Sequence, residues 1–266
     1  MAVLSVDLAF RRWSDLGVVV LSRHPSPAGP ATVACEMVSL DPIDRNSTAA
    51  RGPVDPEILA GRLHQLCATR DIRILMLDGP QAWKSASNGF QHARASERHL
   101  NTAAKTGLPG LVKPSTYRTF TEFCMDVYDA LGRRGWRRLQ TRLRPLPPGP
   151  SAAPVERILV ESYPHAAWRS LGLQPLPAKR RARVSDIARA YSALRGVVPF
   201  TTSRPPSHDQ LQAIVGGLPG LALEENDAAS VRIVGHPPRR EQGHWREGFI
   251  VLPLPPKSAS GIRWLH

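Results

Sequence analysis

Cysteine is scarce in this chain of 266 residues. There are three, Cys35, Cys67 and Cys124, odd in number and far apart. That pattern argues against a disulfide framework or a zinc cluster and fits buried thiols in a reducing cytoplasm. No run of about eighteen apolar residues exists, so no membrane-spanning helix is expected. The N-terminus enters a strand-like segment at once. It lacks a basic region followed by an apolar stretch and a small-residue cleavage site, so no signal peptide is expected. Glycine-rich phosphate loops are missing: there is no G-x-G-x-x-G after a strand and no P-loop. No G-x-S-x-G elbow is present. The nine histidines form no H-x-x-x-H with a partnering acid at zinc spacing, and no internal repeat is visible.

Acids are also few. Asp and Glu number 22 against 35 Lys and Arg, for a formal net charge of +13 and a pI near 10.7. Self-repulsion of that size is commonly retained because it attracts a polyanion, and nucleic acid is the first expectation. The plainer reading is an Arg-rich composition inherited from a GC-rich genome. The bases cluster in "GRRGWRRLQTRLR" (132–144), "KRRARV" (179–184) and "PPRREQGHWR" (237–246). Two of these contain Trp, and Arg beside an aromatic suits phosphate contact with base stacking; all three also suit solvated faces. With 42% hydrophobic residues the chain is globular, and its length allows a sizeable core.

What is present reads first as strand, strand, strand, helix, strand. "VLSVDLAF" (3–10), "LGVVVLS" (16–22) and "ATVACEMVSL" (31–40) are joined by short loops, as in an antiparallel meander. "DPEILAGRLHQLCATR" (55–70) has apolar residues at helical spacing, Asp55 as cap and Pro56 in the first turn. "IRILMLD" (72–78) is a fully buried strand, parallel to the first because a helix crosses between them. Residues from about 80 to 155 interrupt the pattern with helices predicted over 92–107 and 117–136 and a Pro-rich loop over 143–154. Then come the strand "ERILVESYP", the helix "HAAWRSLG", a basic helix over about 182–194, the helix "SHDQLQAIVGGL" (207–218) and a short closing strand in "EGFIVLPLP".

Three of these strands deliver an acid. Asp7 ends the first, Asp78 ends "IRILMLD" just before Gly79 and Pro80 turn the chain away, and Glu161 sits in "RILVESYP". The element order is that of the ribonuclease H-like fold, in which the first strand is central and the strand after the first helix lies beside it. Neighbouring strands are about 4.8 Å apart, so Asp7 and Asp78 are expected to share one small volume. Clustered carboxylates raise each other's pKa unless a cation neutralises them. Hard oxygen ligands select Mg²⁺ or Mn²⁺. Two such ions about 3.5–4 Å apart clamp the attacking and leaving oxygens of a phosphodiester.

"SVDLAF", "LDGPQ", "RASERHL", "VESYPHAAWRSLG" and "SHDQLQAIVGGL", in this order, resemble the domain-of-unknown-function family 429, assigned to the ribonuclease H-like superfamily and described as a predicted nuclease family. The resemblance spans nearly the whole chain. It implies that Asp7, Asp78, Glu161 and Asp209 are catalytic carboxylates and metal ligands, Asp209 being the acid that a late helix returns to the cluster. It implies that Arg94, Glu97 and Arg98 form a polar face after the D-G-P-Q turn, and that Lys179 is a basic position after the E-x-Y-P helix.

Each residue has a plainer role open to it. Asp7 suits a surface-facing strand end. Asp78 suits Asp-Gly-Pro turn chemistry. Glu161 and Asp209 suit helix N-termini, with Ser207 as cap. Arg94 and Arg98, four apart with Glu97 between them, suit an ion-pair lattice. His208 is a candidate proton shuttle and His165 a candidate site residue, while Trp168, Leu171 and Cys124 read as core. The expectation is one α/β domain over 1–266, a ribonuclease H-like mixed five-stranded sheet flanked by helices, with a mainly helical insertion between the fourth and fifth strands. Its expected activity is divalent-metal-dependent hydrolysis of DNA or RNA in the cytoplasm, with no membrane partner and no specified oligomeric state. Arg94, Arg98, Lys179, Arg137 and Arg138 are expected to hold substrate. The alternative is a non-catalytic nucleic-acid-binding protein on the same fold.

Overall fold

In the computed structural model the described residues are 1–26, 29–40, 52–140 and 156–255. The Pro-rich loop, with Arg142 and Arg144, lies outside them. Strands β1 (Ala2–Asp7), β2 (Gly17–Ser26) and β3 (Gly29–Met37) form the expected antiparallel meander. Helix α1 (Pro56–Thr69) follows, its first turn capped by Asp55, whose carboxylate accepts from the Ile58 amide at 2.9 Å. It crosses over to β4 (Ile74–Asp78), which pairs in parallel with β1, and β8 (Arg157–Ser162) pairs in parallel with β4. The first strand is thus central, with the strand after the first helix at its side.

The sheet is wider than five strands. Among the described residues it has nine, in the order β10-β11-β8-β4-β1-β2-β3-β9, with β7 (Trp136–Arg138) also on β8. Strands β10 (Val231–Glu241) and β11 (His244–Pro253) are one long hairpin. The sequence reading predicts only a short strand there, because Pro237 and Pro238 inside a basic run look like a loop. They are tolerated because β10 is an edge strand with a register shift between His236 and Arg239. The three-residue strand β9 (Phe200–Thr202) closes the other edge against β3.

Helices cover both faces. Helix α1 and α3 (Arg118–Arg133) bury Leu59, Leu63, Val127 and Tyr128 against Leu4, Leu75 and Leu77. On the other face lie α4 (Pro164–Ser170), α5 (Val184–Val197) and α6 (His208–Glu224), burying Trp168, Leu194, Leu211 and Ile214 against Val3, Met76 and Val160. Each fully buried side chain of this size stabilises by about 1.5–3 kcal/mol. The insertion contributes α3 to this core. It is less helical than expected, since α2 (Ala95–Leu100) is six residues long and a small hairpin, β5 (Lys105–Thr106) with β6 (Val112–Lys113), follows it. Asn101 ends α2 in the left-handed region at φ 49°. The predicted continuation to 107 fails because the Glu97 carboxylate instead receives the amide of Thr106 at 2.8 Å.

Candidate functional site

The register of the three parallel strands decides which acids meet. Asp7 lies directly opposite Asp78, and Asp78 opposite Ser162. Side chains of paired residues leave the sheet on the same side, so Asp7, Asp78 and Ser162 form one row facing α6. Glu161 is one position out of line, opposite Leu77. The carboxyl groups of Asp7 and Asp78 are close enough to act on each other's protonation. Both pKa values are raised. Burial is the main cause for Asp7, with repulsion from Asp78 and Asp209 added, and burial again leads for Asp78, lifted from 3.8 to about 7. Each carboxylate makes ionisation of the other more costly, a cost that a bound cation would relieve.

Gly79 explains the abrupt end of β4. Its φ of +151° favours glycine, and a Cβ there would meet Cys124 Sγ at 2.5 Å. The turn leaves the Asp78 carboxyl facing a cavity of about 190 Å³ lined by Glu161, Ser162, Tyr163, Phe120 and Thr121 among others. A second cavity, of about 260 Å³, lies on the Asp7 side and is lined by Asp15, Lys179, Asp209, Arg11 and again Phe120. The pair therefore stands between two hollows that share one aromatic wall.

Asp209 reaches this second cavity from the first turn of α6. Ser207 caps the helix, with Gln210 completing a capping box. Gly17, at the start of β2, holds the turn close: a Cβ there would lie 2.1 Å from the Asp209 carbonyl oxygen. Burial alone would raise the Asp209 pKa, but His208 Nδ1 at 3.1 Å and the Lys179 ammonium outweigh it and hold the carboxylate below its ordinary value. Lys179 Nζ also donates to Asp15 at 2.8 Å. His208 Nε2 lies 3.0 Å from the Pro177 carbonyl, pinning the segment that carries Lys179.

Glu161 belongs to a different structure. Its carboxylate is gripped by both arms of Arg94, at 2.6 and 2.7 Å, and by the Gln81 amide at 3.1 Å. Arg94 Nε reaches Glu97 at 3.0 Å and Thr106 at 3.2 Å. Arg94 is 0% exposed, so the substrate-contacting role expected of it does not fit. It precedes α2 and does not share a helix face with Arg98, which is exposed. Lys179 likewise binds acids of the cleft rather than standing free. Arg138 is buried, donating to Asp129 at 2.7 Å, whereas Arg137 is exposed. His165 lies away from the acids, in a pocket with His99, Arg169 and Arg232.

The sequence reading missed Ser162, Asp15 and Glu247. Glu247 is buried and accepts from the amides of Ser85 at 2.8 Å and Ala95 at 2.9 Å and from Asn88 Nδ2 at 2.6 Å. It ties the insertion to β11. Its only sequence signal was an acid opening an apolar strand.

Among the described residues no three Asp, Glu, His or Cys side chains converge closely enough to enclose a metal ion. The donor set of Asp7 and Asp78 nevertheless suits one hard cation: two adjacent carboxyl oxygens, both destabilised as anions, at the mouth of a cleft. The third corner, Asp209, is engaged by Lys179.

No protein-family model matches the chain, and no curated protein does. The resemblance to domain-of-unknown-function family 429 therefore rests on the motifs alone. Among solved structures the chain is similar to the Thermus thermophilus RuvC structure, with 12% identity, a TM-score of 0.37, and coverage of 85% of this chain and 97% of that one. No helix among the described residues is long and apolar enough to cross a membrane.

Proposed function

We propose that the protein is a divalent-metal-dependent nuclease of ribonuclease H-like type, hydrolysing phosphodiester bonds of DNA or RNA. The observation that carries this reading is the in-register pair Asp7 and Asp78, carboxyl to carboxyl at the ends of adjacent parallel strands and open to a cleft. Repulsion between close, half-buried acids is costly in a fold that gains nothing from it. A bound cation turns that cost into affinity.

Asp7 and Asp78 would hold Mg²⁺ or Mn²⁺. Such an ion supplies Lewis-acid polarisation of a phosphoryl oxygen. Ser162, next in the row, is buried against Gly216 of α6 and supports the floor of the cleft. Asp209 and Lys179 shape the Asp7 side of the cleft. Burial raises the Glu161 pKa and Arg94 opposes that rise, fixing Glu161 as a rigid wall beside Asp78, a positioning role rather than a ligand's. A net charge of +13 draws the polyanion in. Three buried free thiols fit a cytoplasmic site of action.

The test is a cleavage assay on single-stranded, double-stranded and branched DNA and RNA, with Mg²⁺ or Mn²⁺ and with EDTA. Metal-dependent cutting is expected, falling by about 100-fold or more in Asp7→Asn, the scale of losing one electrostatic stabiliser of a transition state. Cutting that survives this substitution removes the pair from the chemistry. Binding without cutting on every substrate favours the second reading, a non-catalytic nucleic-acid-binding protein. The engagement of Asp209 by Lys179 is the observation on its side.

A further inference from the structure

We propose that Lys179 is a built-in cation of the carboxylate cleft, so that the site takes one divalent ion where the sequence pattern suggests two. The inference rests on the metal-binding role given above to Asp7 and Asp78.

The geometry is specific. Lys179 Nζ donates to Asp209 on α6 and, at 2.8 Å, to Asp15. It lines the same cavity of about 260 Å³ as Asp7. Its charge acts on Asp7 as well, opposing the effects that raise that carboxyl. The lysine is not a loose surface chain that fell onto an acid. Its segment is fastened two residues earlier, where the Pro177 carbonyl meets His208 Nε2 at 3.0 Å, and His208 Nδ1 itself meets Asp209 at 3.1 Å. Asp209 is seated in turn by the tight packing of Gly17 on its backbone. The ammonium thus occupies the corner of the cluster that a second metal ion would need.

Charge balance points the same way. Asp7, Asp78 and Asp209 carry three negative charges when ionised. Lys179 and one divalent ion match them. Arg11 and Asp15, which also line the cavity, cancel. Glu161 and Glu97 share Arg94 in a separate network outside this count. A second divalent ion added to Lys179 would leave these three acids with two positive charges in excess, crowded into one cleft. An ammonium suits the position because it is a compact point charge with three donors and needs no ordered coordination shell. It would also present positive charge to a phosphate held beside the single ion.

The experiment counts ions in the full chain stripped with EDTA, by calorimetric titration with Mn²⁺ and by the paramagnetic resonance signal of free Mn²⁺. One ion per chain is expected in the wild type and in Lys179→Arg. Two are expected in Lys179→Met, which keeps the chain length and removes the charge. Two ions in the wild type overturn the proposal, and so does a Lys179→Met variant that still takes one at unchanged affinity. No ion in either protein overturns the metal reading itself, a result distinct from a count of two. The wild-type count decides even where the Met variant fails to fold.

Discussion

Arg94 shows what a single side chain does here. A guanidinium at 0% exposure between Glu161 and Glu97 is tolerable only because every charge in the group has partners: Glu161 at 2.6 and 2.7 Å, Glu97 at 3.0 Å, and Thr106 completing the shell. Burial works against its charge, and the two carboxylates more than restore it. Removing the arginine alone leaves two buried acids uncompensated. Arg94→Leu is therefore expected to lose about 3–5 kcal/mol of unfolding free energy, measured by urea denaturation. Adding Glu161→Leu should recover part of the loss, because the stranded charge goes with it. If the double variant is no more stable than Arg94→Leu, the network is not what holds this corner. At this scale the sequence was partly legible. Asp7 and Asp78 were found because an acid ending an apolar strand is anomalous. Arg94 was not placed, because an R-x-x-E spacing reads equally as an exposed ion pair, and nothing local says that Glu161, 67 residues away, will close over it.

At the scale of elements, α6 governs how the acids are brought together. The helix meets the sheet through glycines. A Cβ on Gly217 would lie 2.6 Å from Leu21 Cδ1 and 2.7 Å from Ser5 Cβ, and one on Gly220 would lie 2.9 Å from Met76 Cγ. This close approach sets the height of Asp209 above Asp7. Ala is intrinsically better than Gly in a helix by about 1 kcal/mol, so the sign of a substitution depends on space alone. Gly217→Ala is expected to destabilise by about 1–3 kcal/mol through overpacking. Gly196→Ala in α5 has nothing within 4 Å of the new methyl and should stabilise by up to about 1 kcal/mol. Thermal unfolding of the two variants beside the wild type checks the pair, and a stabilised Gly217→Ala would show that α6 can back away from the sheet. The run "IVGGLPGL" in α6 reads only as a weak helix former until the sheet beneath it is known. Strands β1 to β4 and β8, with α1, α3 and α6, were legible from periodicity and caps. Strand β7 was not predicted, and the predicted helix ran on to its first residue, Trp136, because Gly135, at φ 88°, and not a change of periodicity, ends α3. Strand β10 was hidden by its prolines.

For the whole molecule, the decisive quantity is where the excess positive charge lies relative to the acids. One dense part lies beside β7 and the β10–β11 hairpin. There a groove of about 720 Å³ is lined by Arg133, Arg137, Arg138, Arg240 and Trp245, with Asp129 the acid among its lining residues. Arg138 and Arg240 each stand over the Trp245 ring, at 4.5 and 4.7 Å from its centre. The stacking stiffens the arginines and holds their charge in place. Arg138 touches the Gln81 carbonyl at 3.4 Å, and the Gln81 amide holds Glu161 at 3.1 Å. One residue thus joins the basic groove to the wall of the acid cleft. On the proposed reading the groove would hold the polyanion and the acids would contribute nothing to its capture. Two consequences separate the roles. Polynucleotide affinity of the full chain in EDTA should fall with salt. The slope of log K against log salt should become shallower by about 1 for each phosphate that Arg137→Glu or Arg240→Glu leaves without its arginine. Asp7→Asn, measured the same way, should leave that slope unchanged. Fluorescence anisotropy with a labelled oligonucleotide across a salt series reads both. A slope unaltered by the two arginine substitutions would move the binding surface elsewhere, to the exposed Arg180, Arg181 and Arg183 ahead of α5.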